Sequence, residues 1–165
     1  MYKKTAYFSI MISFAMILSY IESLIPFYFG APGIKLGLAN FIVVFMMFQN
    51  KAREAIIMNI IRIILVGFLF GNLFSIVYSL AGGILSFFFM IFFKKMRLFE
   101  ILGISMIGGI THNVGQILMA FFVLKSVGIF YYIPILLIAG LVTGMLIGLI
   151  AREVLKRIPK NGVLI

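Results

Sequence analysis

Six apolar stretches, at residues 7–25, 36–48, 55–70, 73–93, 101–124 and 129–150, follow one another with little between them but short clusters of Lys, Arg, Gly and Pro. About 20 apolar residues coiled as a helix match the roughly 30 Å hydrocarbon core of a bilayer. In that medium every backbone N–H and C=O must find a partner within the chain, so a spanning segment is either a helix or a strand of a closed barrel. No stretch alternates apolar and polar over the ten or so residues of a barrel strand. The expected fold is therefore all-α, a polytopic membrane protein of six transmembrane helices in one integral membrane domain, residues 1–165. Composition agrees, with 64% hydrophobic and only 11% charged residues, against about a quarter charged in soluble domains.

The balance of 14 Lys and Arg against 4 acidic residues would suit nucleic-acid binding in a soluble protein. Here the cations cluster between apolar runs, where they act as topology signals, and nucleic acid is set aside as a partner. With both termini cytoplasmic, six spans place Lys3, Lys4, Lys51, Arg53, Lys94, Lys95, Arg97, Arg152, Lys156, Arg157 and Lys160 inside, and only Lys35 and Lys125 outside, eleven against two. A five-span arrangement gives ten against three and stays open. Segment 36–48 has only 13 residues, fewer than the 20 or so of a full span, and is either a short span or re-entrant. The first apolar run has a basic start but no small-x-small cleavage pattern, and reads as a retained helix.

Several chemistries are excluded. With no cysteine there are no disulfides or thiolate sites. With no aspartate, the chain cannot build the paired Asp-rich motifs that hold Mg²⁺ on prenyl diphosphates. No GxxxxGK[ST] loop is present to bind ATP phosphates, and a single His without nearby carboxylates or thiolates falls short of a zinc site. No ring of like charges or carbonyl-rich filter suggests a channel. The chain reads as a non-enzyme with no cofactor and no metal.

What remains to explain is the polar side chains inside apolar runs. In GGITHNVGQ, a helical projection puts Gly108, Gly109, His112, Gly115 and Gln116 on one face, with Asn113 beside it. Glycines let a backbone or ligand approach while the amides and imidazole offer hydrogen bonds; gluing helix to helix explains the same pattern. Asn72, Ser75, Ser79 and Ser86 form a second stripe, and Gly140, Gly144 and Gly148 a close-packing one. Arg62 lies inside NIIRIILVGFLFG, roughly 12 Å from the nearest basic cluster at 1.5 Å per residue. A buried Arg at that depth is a functional candidate by default, with snorkelling toward headgroups as the alternative. Glu22 either pairs with Lys35 across the loop or faces water at the interface, the latter being preferred. Lys35 lies at the mouth of the expected cavity, in a Gly/Pro-rich loop beside Asn40. Together Lys35, Asn40, Arg62, Asn72, Ser79, His112, Asn113 and Gln116 are the candidate binding residues for a small anionic or polar molecule.

The blocks PGIKLGLAN (32–40), RIILVGFLFG (62–71), YSLAGGILS (78–86), THNVGQ (111–116) and YYIPILLIAGLVTG (131–144) resemble the bacterial membrane family called Gx transporters, also labelled heptaprenyl diphosphate synthase component I. That family is similar to the six-helix S components of energy-coupling factor uptake transporters. The resemblance implies a plasma-membrane protein that captures a vitamin or precursor and docks on a transmembrane coupling protein with ATPase subunits. Ser9, Ser13, Ala15 and Ser19 of the first helix are the expected docking residues, with serine where S components typically carry Ala-x-x-x-Ala. The second family label implies an alternative, a non-catalytic membrane accessory subunit of heptaprenyl diphosphate synthase. The expectation is uptake, abolished by Gln116→Leu or Asn113→Leu.

Overall fold

A computed structural model describes residues 2–25 and 37–158. It contains six α-helices, α1 (Tyr2–Leu24), α2 (Asn40–Phe48), α3 (Ala52–Phe70), α4 (Leu73–Met96), α5 (Ile101–Leu124) and α6 (Ile133–Arg157). A 3-10 segment, Val127–Tyr132, leads into α6, and no strand occurs among the described residues.

Four helical stretches are long and apolar enough to cross a bilayer, namely Thr5–Leu24, Leu73–Met96, Ile101–Leu124 and Val127–Arg157. Against the expected six spans, the described residues form six helices, of which these four have the length and composition of a span, and two further helices have a different character. The 9 residues of α2 reach only about 14 Å, half the hydrocarbon thickness. The 19 residues of α3 are long enough, but Arg53, Glu54 and Arg62 make the helix too polar to qualify on composition.

What α2 lacks in length it has in burial. Ile42, Val43, Val44, Phe45, Met46 and Met47 are all buried, surrounded by Ala15 of α1, Met58 of α3, Met90 of α4, Ile104 of α5 and Ile147 of α6. A helix apolar on every side belongs in a core rather than on a surface. The outer faces of the long helices expose Phe68, Phe88, Phe122 and Ile138, as lipid-facing helices do.

Helix α5 packs between α4 and α6 by backbone contact. A Cβ on Gly109 would fall 2.1 Å from the Gly140 carbonyl oxygen, and one on Gly115 would fall 2.8 Å from that of Ala81. Only glycine permits such approaches, so the Gly140, Gly144 and Gly148 stripe is a packing surface.

Polar contacts gather at one end of the bundle. Tyr7 Oη donates to Gln49 Oε1 at 2.6 Å, Lys51 Nζ lies 3.7 Å from the Tyr7 ring centroid, and Lys94 Nζ donates to the Met47 carbonyl and to Asn50 Oδ1. Lys94 of α4 thus adds its charge to the Met47 carbonyl, which also accepts the Asn50 N–H, at the negative C-terminal end of α2. The exposed Arg53, Lys95, Arg97, Arg152, Lys156 and Arg157 belong to the same end.

Candidate functional site: a cavity floored by Arg62

Because α2 begins in mid-bundle, its first residue, Asn40, faces the interior beside α1 and α3. Arg62 reaches the same point from α3 and is 9% exposed, so its side chain turns inward instead of snorkelling. Its guanidinium donates to Asn59 Oδ1 at 2.7 Å, to Ser19 Oγ at 3.2 Å and, more loosely, to Asn40 Oδ1 at 3.5 Å. Nε has no hydrogen-bond partner among the described residues. A buried guanidinium is tolerated only when neighbours replace its water, and three short polar side chains do most of that here.

Glu22, one turn above Ser19 on α1, accepts a hydrogen bond from the Gly37 N–H and attracts Arg62 electrostatically. This corrects the expectation that Glu22 is merely interfacial. Gly37, at φ +71, takes a backbone conformation that L side chains rarely adopt, and so brings its N–H to the carboxylate.

Above Arg62 opens a cavity of about 390 Å³, with Ser19, Glu22, Asn40, Ser75, Ser79, His112 and Gln116 among its lining residues. A smaller void of about 50 Å³ runs deeper, past Ser86, Ser105 and Asn113, with room for a few water molecules. The described fixed charges of the main cavity, one Arg and one Glu, oppose each other. The site therefore suits a head group that accepts hydrogen bonds, neutral or anionic, with Glu22 weakening the pull of Arg62 on an anion.

The structure brings together five of the eight expected binding residues, Asn40, Arg62, Ser79, His112 and Gln116. Asn72 is elsewhere: its side chain accepts from the Ser75 N–H at 2.9 Å and caps α4. Asn113 lines only the small void and donates through Nδ2 to the Leu136 carbonyl at 2.6 Å, gluing α5 to α6. Lys35 lies outside the described residues. The expected docking residues divide as well. Ser9 and Ser13 are exposed, whereas Ala15 is in the core and Ser19 holds Arg62.

Sequence reasoning missed Asn59, one helical turn before Arg62, which is 2% exposed and makes the shortest bond to the guanidinium. The spacing i, i+3 in NIIR was the available signal.

An all-helical bundle with apolar outer faces and a polar chamber at one end defines the class, a helical membrane protein with a candidate binding site. The family described as heptaprenyl diphosphate synthase component I matches residues 11–154, and the chain belongs to that family. No curated protein and no solved structure matches it.

Proposed function

We propose that the chain is a non-catalytic membrane subunit working with a heptaprenyl diphosphate synthase, and that it holds a small polar-headed molecule in the Arg62 cavity. The observation that carries this reading is the cavity itself, floored by a buried and hydrogen-bonded Arg62, in a chain whose family is named for prenyl diphosphate synthesis. The lack of aspartate supports a binding role, because clustered carboxylates are needed to hold Mg²⁺ on diphosphates. A catalytic partner would meet the basic end, where Arg53, Lys95, Arg97, Arg152 and Lys156 from three helices add to the short connections. On this reading that end and both termini are cytoplasmic, by the positive-inside rule, and the membrane is the bacterial plasma membrane.

The test is synthesis of heptaprenyl diphosphate from isopentenyl diphosphate in membrane extracts. Deletion of this chain lowers it, and wild type restores it while Arg62→Met does not. Unchanged synthesis after deletion overturns the reading.

A second reading is uptake, with the chain as an S-component-like capture subunit. It is favoured by the cavity's position beside the buried apolar helix α2, whose Phe45, Met46 and Met47 fill the bundle toward the basic end. A site closed on one side captures without conducting. Ser9 and Ser13 on the exposed side of α1 would then meet a coupling protein. Saturable uptake that depends on ATPase subunits supports this reading, and uptake independent of them removes it.

A further inference from the structure

A second hollow, of about 550 Å³, lies between the start of α4, the end of α5 and the start of α6. Its walls are largely apolar, with Phe74, Ile117, Ala120, Leu124, Ile129 and Leu136 among them. The hollow exists because α4 and α6 both pack on α5 and barely meet each other. The tight contact of α4 with α5 at Gly82 and Gly115 gives way, toward the cavity, to the side chains of Ser79 and Gln116.

The polar cavity and this hollow share Ser75, Ser79 and Gln116 in their walls. Ser79 and Gln116 are only partly buried, and a change of rotamer at either would need no backbone movement. On the far side, Phe74 and Leu124 are each 60% exposed, so the hollow opens where lipid would lie. An isolated groove on a lipid-facing surface would say nothing about a ligand. A groove whose inner wall is also the wall of a polar chamber joins the two environments that an amphipathic molecule needs.

We infer that the two chambers form one site for a head-and-tail ligand. Its hydrogen-bonding head lies beside Arg62, and a single long apolar chain, isoprenoid or acyl, passes between Ser79 and Gln116 into the hollow. This rests on the proposed binding role of the Arg62 cavity and adds the class of ligand. From Gln116 to Leu124, α5 rises about 12 Å, so a longer tail continues into the bilayer. Such a site takes its ligand from the membrane sideways, which suits molecules too apolar to cross water.

The test uses the purified full chain in phosphatidylcholine nanodiscs and a farnesyl phosphate analogue carrying a photoreactive group at the tail end. The expected result is labelling concentrated in the 117–136 region and at the start of α4. Excess isopentenyl phosphate, which has the head and almost no tail, should suppress it at least tenfold. Ala120→Phe, which puts a ring into the hollow, should reduce labelling severalfold while leaving isopentenyl phosphate binding unchanged, and that unchanged binding shows that the variant is folded. Dodecyl phosphate as competitor separates the two sources: competition equal to that of farnesyl phosphate indicates a generic acyl or prenyl tail, and weaker competition an isoprenoid.

Labelling spread over the exposed faces of α1 and α6, and indifferent to isopentenyl phosphate, overturns the inference. If isopentenyl phosphate nevertheless binds and Arg62→Met abolishes that binding, the polar site stands without the tail. If it does not bind at all, the polar site falls and the tail site with it, while the accessory role is decided by the deletion experiment.

Discussion

Arg62 on α3 donates a hydrogen bond to the Ser19 hydroxyl on α1 at 3.2 Å, tying together two helices at the floor of the cavity. The same guanidinium holds Asn59 and approaches Asn40, so one residue organises α1, the start of α2, and α3. Arg62 also lines the cavity, and these three hydrogen bonds use three of the five N–H groups of a guanidinium.

Arg62→Lys keeps the charge and loses the planar fork that reaches three acceptors at once. Arg62→Met keeps the volume and loses both. Binding of isopentenyl phosphate should weaken at least about tenfold in each, because Lys does not replace Arg at a multidentate site. Arg62→Met leaves Asn59, Ser19 and the Glu22 carboxylate without their cationic partner and should cost stability, so Arg62→Lys, which keeps the charge, carries the test wherever the Met variant is not monodisperse in size-exclusion chromatography. Undiminished binding in both variants would remove Arg62 from the site.

Glu22→Gln removes the negative charge that opposes Arg62 and keeps a group able to accept from the Gly37 N–H. Affinity for the phosphate probe should rise by roughly three- to tenfold, about 1 kcal/mol, as expected for one partly solvated charge at close range. Titration of the probe against both proteins checks it. Weaker binding by the variant would mean that Glu22 itself contacts the ligand.

Asn113→Leu and Gln116→Leu should part company. Asn113 spends its amide on the Leu136 carbonyl, so its loss should lower stability by about 0.6–2 kcal/mol, typical of interhelical hydrogen bonds in membranes, with binding kept. Gln116 lines the cavity, the void and the apolar hollow alike, so its loss should impair binding with little change in stability. Thermal unfolding in detergent alongside probe titration separates the two outcomes.

Gly109→Ala places a methyl group on the Gly140 carbonyl of the neighbouring helix. Overpacking against backbone, which cannot yield as a side chain does, should destabilise by about 1–3 kcal/mol. Gly128→Ala is the control, since its added Cβ would meet only Ser126 Oγ at 3.5 Å. Equal thermal stability of the two variants would contradict the close packing of α5 on α6.

The apolar runs made the helices legible in sequence, and the depth of Arg62 marked it as the residue to explain. What periodicity cannot supply is the identity of the neighbour a face meets. Asn113 and Gln116 are three residues apart and look alike on a helical wheel, yet one meets α6 and the other the cavity. Ser19 fits a small-residue docking pattern as readily as it fits a partner for Arg62, and only the packing of α1 on α3 decides. The half-length of α2 was signalled by its 13-residue run, but its central burial depends on all five other helices. Glu22 was misjudged because its partner, the Gly37 N–H, is a backbone group and carries no mark in the sequence.

The central claim, that a ligand sits on Arg62, is tested most directly by native mass spectrometry of the protein extracted gently from its own membranes. Wild type should carry a bound small molecule with a polar head and an apolar tail, and Arg62→Met, purified in the same way, should lack it. The same adduct on both proteins, or none on wild type at any extraction condition, would contradict the account.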